Sequence, residues 1–98
     1  MIRLSPEAEA QVDALIAHYE TKGRSGATEN LINALERAKV RIERTPNAGL
    51  EAPRPYPMLR QPGRRWIIEG AYWIAYRPTN PPVIIGVFYV TADIPGRL

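Results

Sequence analysis

Cysteine is absent from this 98-residue chain. That excludes disulfides and thiolate metal sites, and it suits a reducing, cytoplasmic setting. Histidine occurs once, as His18, with no second ligand or nucleophile beside it in sequence. Acid–base catalysis needs a positioned partner and a zinc site needs several ligands, so neither is expected, and no cofactor is called for. Lysine is confined to Lys22 and Lys39, both in the first half. No stretch nears the ~20 apolar residues that cross a bilayer, and the N-terminal residues lack an apolar run of signal-peptide length. No glycine spacing makes a phosphate-binding loop, since PGRR lacks the lysine that should follow. The length suits one domain over residues 1–98. A chain this short hides roughly 60–65% of the surface that its unfolded form exposes, enough for one two-layer core.

Charge is distributed unevenly. Residues 1–44 hold seven basic and seven acidic residues, whereas residues 45–98 hold six basic and three acidic. The net surplus of +3 therefore lies in the second half, and all six of its cations are arginines: 54, 60, 64, 65, 77 and 97. Arginine suits bidentate contact with carboxylates or phosphates, so this half is either a solvated basic face or the contact for an acidic partner.

The order of elements can be read from periodicity and punctuation. Ile2 to Leu4 reads as a short strand. Ser5-Pro6 is a helix start, the serine as cap and the proline at the first helical position. Ala8, Val12, Leu15, Ile16 and Tyr19 follow at helical spacing, and Lys22-Gly23 ends the pattern. A second helix begins near Ser25 to Thr28, carries Ala27, Leu31, Leu35, Ala38 and Ile42 on one stripe, and stops at Thr45-Pro46. The short link between them predicts an antiparallel helical hairpin. Five of the ten prolines fall between Thr45 and Gly63, which makes that stretch a long loop and not a linker between domains. Three strands complete the chain: Arg65 to Glu69, Ala71 to Arg77 and Val83 to Val90. Gly70 forms the hairpin between the first two, and PTNPP breaks the chain before the third. The last strand is apolar at both parities, as expected of a central strand covered on both faces. The fold class is therefore α+β, with a helical hairpin packed on one face of a small, mostly antiparallel sheet.

Alternation divides the aromatic stretch EGAYWIAYR into two faces. Tyr72, Ile74 and Tyr76 point one way and are apolar enough to meet the helices. Trp73, Ala75 and Arg77 point the other way, either as a functional face or as a sheet surface with the tryptophan lying under the proline loop.

The element order, together with GAYWIAYR after LRQPGRR, resembles the RelE/ParE toxins of bacterial toxin–antitoxin modules. Gly70, Tyr72, Ile74, Tyr76 and Arg77 match the strand pattern of that family, and Arg65 opens the preceding strand as its arginine does. RLSPEAEAQVDAL and NALERAKVRIERTPNAG are similar to its two helical phrases. The chain is closer to the ParE branch. Where RelE-like members carry a catalytic arginine, this chain has Trp73. Where ParE-like members end on a His-Gly-Arg-Arg-like phrase, it has YVTADIPGRL, with Arg97 as the one basic residue. The resemblance implies a growth-inhibiting, plasmid-stabilising toxin without catalytic residues, binding DNA gyrase through Arg65, Trp73, Arg77 and Arg97. It also implies a cognate antitoxin, bound through Val12, Ile16, Tyr19, Leu31 and Leu35 and at the sheet edge, with the two chains as a hetero-oligomer. The alternative is a RelE-like, ribosome-dependent mRNA endonuclease using Arg65, Tyr72, Arg77 and Arg97. A nucleic-acid binder using Trp73 and the arginines is a third reading.

Overall fold

The computed structural model describes residues 2–92, 94 and 95. Strand β1 (Arg3–Leu4) leads into helix α1 (Pro6–Thr21), which is followed by helix α2 (Ser25–Arg44). After a long loop with one 3-10 turn at Pro57–Leu59 come β2 (Arg65–Glu69), β3 (Tyr72–Arg77) and β4 (Val83–Tyr89). This is the expected order, with strand ends trimmed by one residue at Ile2, Ala71 and Val90. Among the described residues, no helix is long and apolar enough to cross a membrane.

The punctuation acts as its chemistry requires. The Ser5 hydroxyl accepts a hydrogen bond from Ala8 N–H at 3.2 Å, capping α1. Gly23 at φ 67° reverses the chain between the helices, and Gly70 at φ 58° turns β2 into β3. A side chain is strained in that left-handed conformation, and glycine is not.

The sheet order is β1-β4-β3-β2, with β1 parallel to β4 and the other pairs antiparallel. β4 is thus interior, as its apolar sequence predicts. Its register carries an irregularity that alternation alone does not show. Ala75 pairs with Gly86 and Tyr76 with Ile84, so Ile85 is an extra residue in a bulge. The bulge shifts the parity of β4. Ile84 and Val87, three apart, both face the helices, while Phe88 faces the other way.

One cluster fills the space between sheet and helices. It includes Leu31, Ala34, Leu35, Ala38 and Ile42 of α2 with Ile67, Tyr72, Ile74, Tyr76, Ile84 and Val87 of the sheet. A second cluster lies on the opposite face: Trp66, Trp73, Ala75, Phe88 and Ile94, with Tyr56, Leu59, Ile85 and Val90 packed on it. The expected single two-layer core is thus corrected to two. The proline-rich loop supplies part of the extra cover. It is tied down by a two-bond bridge between Leu50 and Trp66, both bonds 2.7 Å, and by the Tyr76 hydroxyl. That hydroxyl donates to Pro46 O at 2.7 Å and accepts from Gly49 N–H at 3.1 Å.

Candidate partner-binding groove

A groove of about 1040 Å³ runs along α1 and around the end of the sheet. One wall is α1, through Ala10, Gln11, Ala14 and His18. The other combines the start of α2 with the β2–β3 turn and the end of β4.

At its floor the Tyr19 and Tyr72 hydroxyls are hydrogen-bonded at 2.6 Å. Tyr89 meets Tyr72 edge to face at 5.7 Å, and the Arg24 guanidinium lies over the Tyr19 ring at 5.9 Å. Burial pushes the Tyr72 hydroxyl far above the ordinary tyrosine value, and its hydrogen bond with Tyr19 adds to that. The floor is therefore uncharged, while Tyr89, 40% exposed, offers an aromatic surface to a partner.

Beside the β2–β3 turn, Glu69 accepts from Arg37 at 2.8 Å and from Arg41 at 2.9 Å. Burial alone would raise its pKa, but these two bonds hold the carboxyl below the ordinary glutamate value. Arg41 also donates to Ile68 O at 2.8 Å, so the pair fastens α2 to the outer strand. The charged residues that line the groove are Arg24 and Arg37, the latter paired with Glu69, and no carboxylate is among its described lining. The groove therefore favours an acidic visitor.

The residues singled out in the sequence do not form one surface. Arg65 stands on the helix side of the sheet, half-buried, 3.4 Å from Gly49 O. Arg77 is exposed on the opposite face, by the alternation of β3. Trp73 is 3% exposed and belongs to the second cluster, so its side chain is not presented to a partner. The loop and Ile94 convert its face from surface to core. Arg97 lies outside the described residues. Of the helix positions, Val12 and Ile16 are half-buried against the core, while Tyr19, Leu31 and Leu35 are 5%, 0% and 7% exposed. Leu31 and Leu35 are consumed in packing on the sheet, so they shape the hairpin without offering contact. Tyr19 reaches the groove as part of its floor.

Other residues went unmarked in the sequence. Gln11, Arg24, Asn30 and Asn33 line the groove as polar helix residues, whose types carry no signal of their own. Arg64 is held on the second face. Its guanidinium sits over the Trp66 ring at 5.4 Å and donates to Leu59 O, and its pKa is lowered first by burial and then by the nearby Arg77 charge.

A helical hairpin on a four-stranded sheet, with an open groove at one end and a filled second face, defines a small α+β protein suited to contact with another chain. The sequence matches the family described as ParE toxin of type II toxin–antitoxin system, parDE, over residues 2–91. The chain belongs to that family, within the RelE/ParE toxins. A chain in the solved structure of the chromosomal ParDE toxin–antitoxin system from P. aeruginosa is similar in fold. The identity is 16% and the TM-score 0.67, over 91% of this chain and 94% of that one. No curated protein matches.

Proposed function

We propose that this chain is the toxin of a type II toxin–antitoxin pair, acting on DNA gyrase by protein–protein contact and neutralised when an antitoxin occupies the groove. The observation that carries this reading is the use made of the sheet. The face opposite the helices is filled by Trp66, Trp73 and Phe88 under the proline loop. Arg65 and Arg77, which an mRNA endonuclease would bring to one phosphate, stand on opposite sides of that sheet. The groove, by contrast, is open, cationic and aromatic, which suits recognition of a protein segment.

The test is gyrase supercoiling with purified protein at micromolar levels. Supercoiling should fall, and co-purified antitoxin should restore it. Unaltered supercoiling would remove gyrase as the target, and codon-phased cuts on translating ribosomes would establish the endonuclease instead.

A further inference from the structure

The turn in LRQPGRR sets Arg64 on the second face of the sheet. Arg64 N–H closes on Gln61 O at 3.2 Å, with Gly63 at φ 74° between them. Proline followed by a glycine of positive φ is the chemistry of a type II turn, so local sequence fixes where Arg64 enters β2. The register then pairs Arg65 with Tyr76 and Trp66 with Ala75. One step outward Arg64 comes opposite Arg77, and both share the face of Trp66 and Ala75. Pro78 keeps the backbone of the exposed Arg77 extended.

Like charges directly opposite on neighbouring strands repel. Arg37 and Arg41 are paired with Glu69, and Arg60 with Glu51, but Arg64 and Arg77 form no ion pair among the described residues. Arg64 is nevertheless held in one position. The Trp66 ring lies beneath its guanidinium at 5.4 Å, and Nη2 donates to Leu59 O. Stacking occupies the flat face of a guanidinium and leaves the N–H groups of its rim for an oxyanion. Two buried donors at this place have no partner among the described residues, Arg64 Nε–H and Trp66 Nε1–H, and Trp66 is 0% exposed. Buried donors are nearly always matched by an acceptor, so two unmatched donors beside two cations point to an anionic ligand.

We infer that Arg64 and Arg77 together bind a phosphate group, Arg64 with the rim of its stacked guanidinium and Arg77 from the solvent side. Two adjacent guanidinium forks match the oxygens of a phosphate, and a shared anion turns their repulsion into attraction. The group belongs to a nucleic-acid backbone or to a free phosphate, two sources of one chemistry. His18 and Lys22 lie on α1 or at its end and Lys39 on α2, so neither a histidine nor a lysine stands beside the pair as a base for cleavage. This site does not depend on the toxin reading.

The test titrates the full chain with inorganic phosphate, against chloride at equal ionic strength, and follows side-chain N–H signals by NMR. The Arg64 Nε–H and Trp66 Nε1–H signals should move to saturation in phosphate and stay in place in chloride. Arg77→Gln, at an exposed position that leaves the fold intact, should weaken phosphate binding by about tenfold. Arg64→Lys keeps the charge, loses the stacked fork and should weaken it by about fivefold. Melting midpoints add a sign that a packing role would not produce. Arg77→Gln should raise the midpoint in chloride by relieving repulsion, and should lose the gain that phosphate gives the wild type. A short DNA duplex separates the sources. If it binds and Arg77→Gln lowers its salt slope by about one, the phosphate is that of a nucleic acid, whereas binding of inorganic phosphate alone assigns a free one. Signals that respond alike to phosphate and chloride overturn the site. A glutamate-rich peptide that moves them where neither phosphate nor duplex does makes the ligand a carboxylate and overturns the phosphate assignment.

Discussion

Trp73 decides between two accounts of the second sheet face, so its truncation is the most informative single change. The side chain is 3% exposed among Trp66, Ala75, Phe88 and Ile94. Replacing it with alanine removes ~200 Å² of buried apolar surface, which at ~25 cal/mol/Å² amounts to about 5 kcal/mol. Partial burial in the unfolded chain lowers that figure and the cavity left behind raises it, and measured Trp→Ala losses of about 3–5 kcal/mol bracket the expectation at about 4. Domains of this size have about 5–15 kcal/mol to lose, so Trp73→Ala should be marginally folded at best. With a urea slope of about 1.5 kcal/mol/M the midpoint should drop by between 2 and 3 M. Circular dichroism reads this directly, and Trp66 remains as a fluorescence probe. Trp73→Phe keeps a ring in place and should lose less than half as much. If Trp73→Ala unfolds within about 0.3 M of the wild type, the side chain is not core, and the filled-face reasoning fails.

Two further predictions concern the fastenings of the sheet. Glu69 has a folded pKa held below its ordinary value of 4.5, so its contribution is complete above that value and declines as the pH falls below it. Glu69→Gln should cost about 1 kcal/mol at pH 7, since Arg37 and Arg41 are half exposed and solvent screens the pair. In urea melts the gap between variant and wild type should narrow by pH 3, and an equal gap at both pH values would show that the charge is irrelevant. The loop anchor has its own signature. A Cβ at Gly49 would come 2.5 Å from the Tyr76 hydroxyl, so Gly49→Ala should cost about 1–3 kcal/mol. Tyr76→Phe should cost about 1–2 kcal/mol through its two lost bonds. Combined, the two changes should cost less than their sum, because removing the hydroxyl takes away the closest contact and leaves the Tyr76 ring carbon at 2.9 Å, and strict additivity would refute that contact.

The order of elements was legible because its boundaries are set by local chemistry. Ser5-Pro6 caps a helix, Gly70 supplies a positive φ, and Thr45-Pro46 stops α2, each within a few residues of sequence. The division of EGAYWIAYR was also legible: Tyr72, Ile74 and Tyr76 do face the helices. Alternation assigns a side chain to a face but does not say whether that face is covered. The fate of Trp73 depends on residues about 15 positions away, where the proline loop folds across the sheet and brings Tyr56 and Leu59 onto it. The bulge at Ile85 was hidden for a related reason. An apolar run reads the same with or without an extra residue, yet that residue places Val87 on the helix side and Tyr89 at the groove. Leu31 and Leu35 were marked as contact positions from a stripe whose partner turned out to be the sheet of the same chain. Gln11 and Arg24 carried no mark, since polar residues on helices are ordinary until a backbone donor or a ring is seen beneath them.

The two edges of the sheet show where a partner strand could join at least cost. On the β2 side, Trp66 exchanges two backbone bonds with Leu50, and Arg41 takes the Ile68 carbonyl while paired with Glu69. Opening that edge means breaking a backbone bridge, pulling the loop off the second cluster and separating a bonded charge pair. On the β4 side, one neutral side chain holds one N–H. Releasing Gln11 costs a single hydrogen bond of about 1 kcal/mol, and an incoming strand replaces it at once. Both sheet faces are filled, so an added strand must enter through an edge. The β4 edge is the more weakly fastened of the two, and it adjoins the open groove.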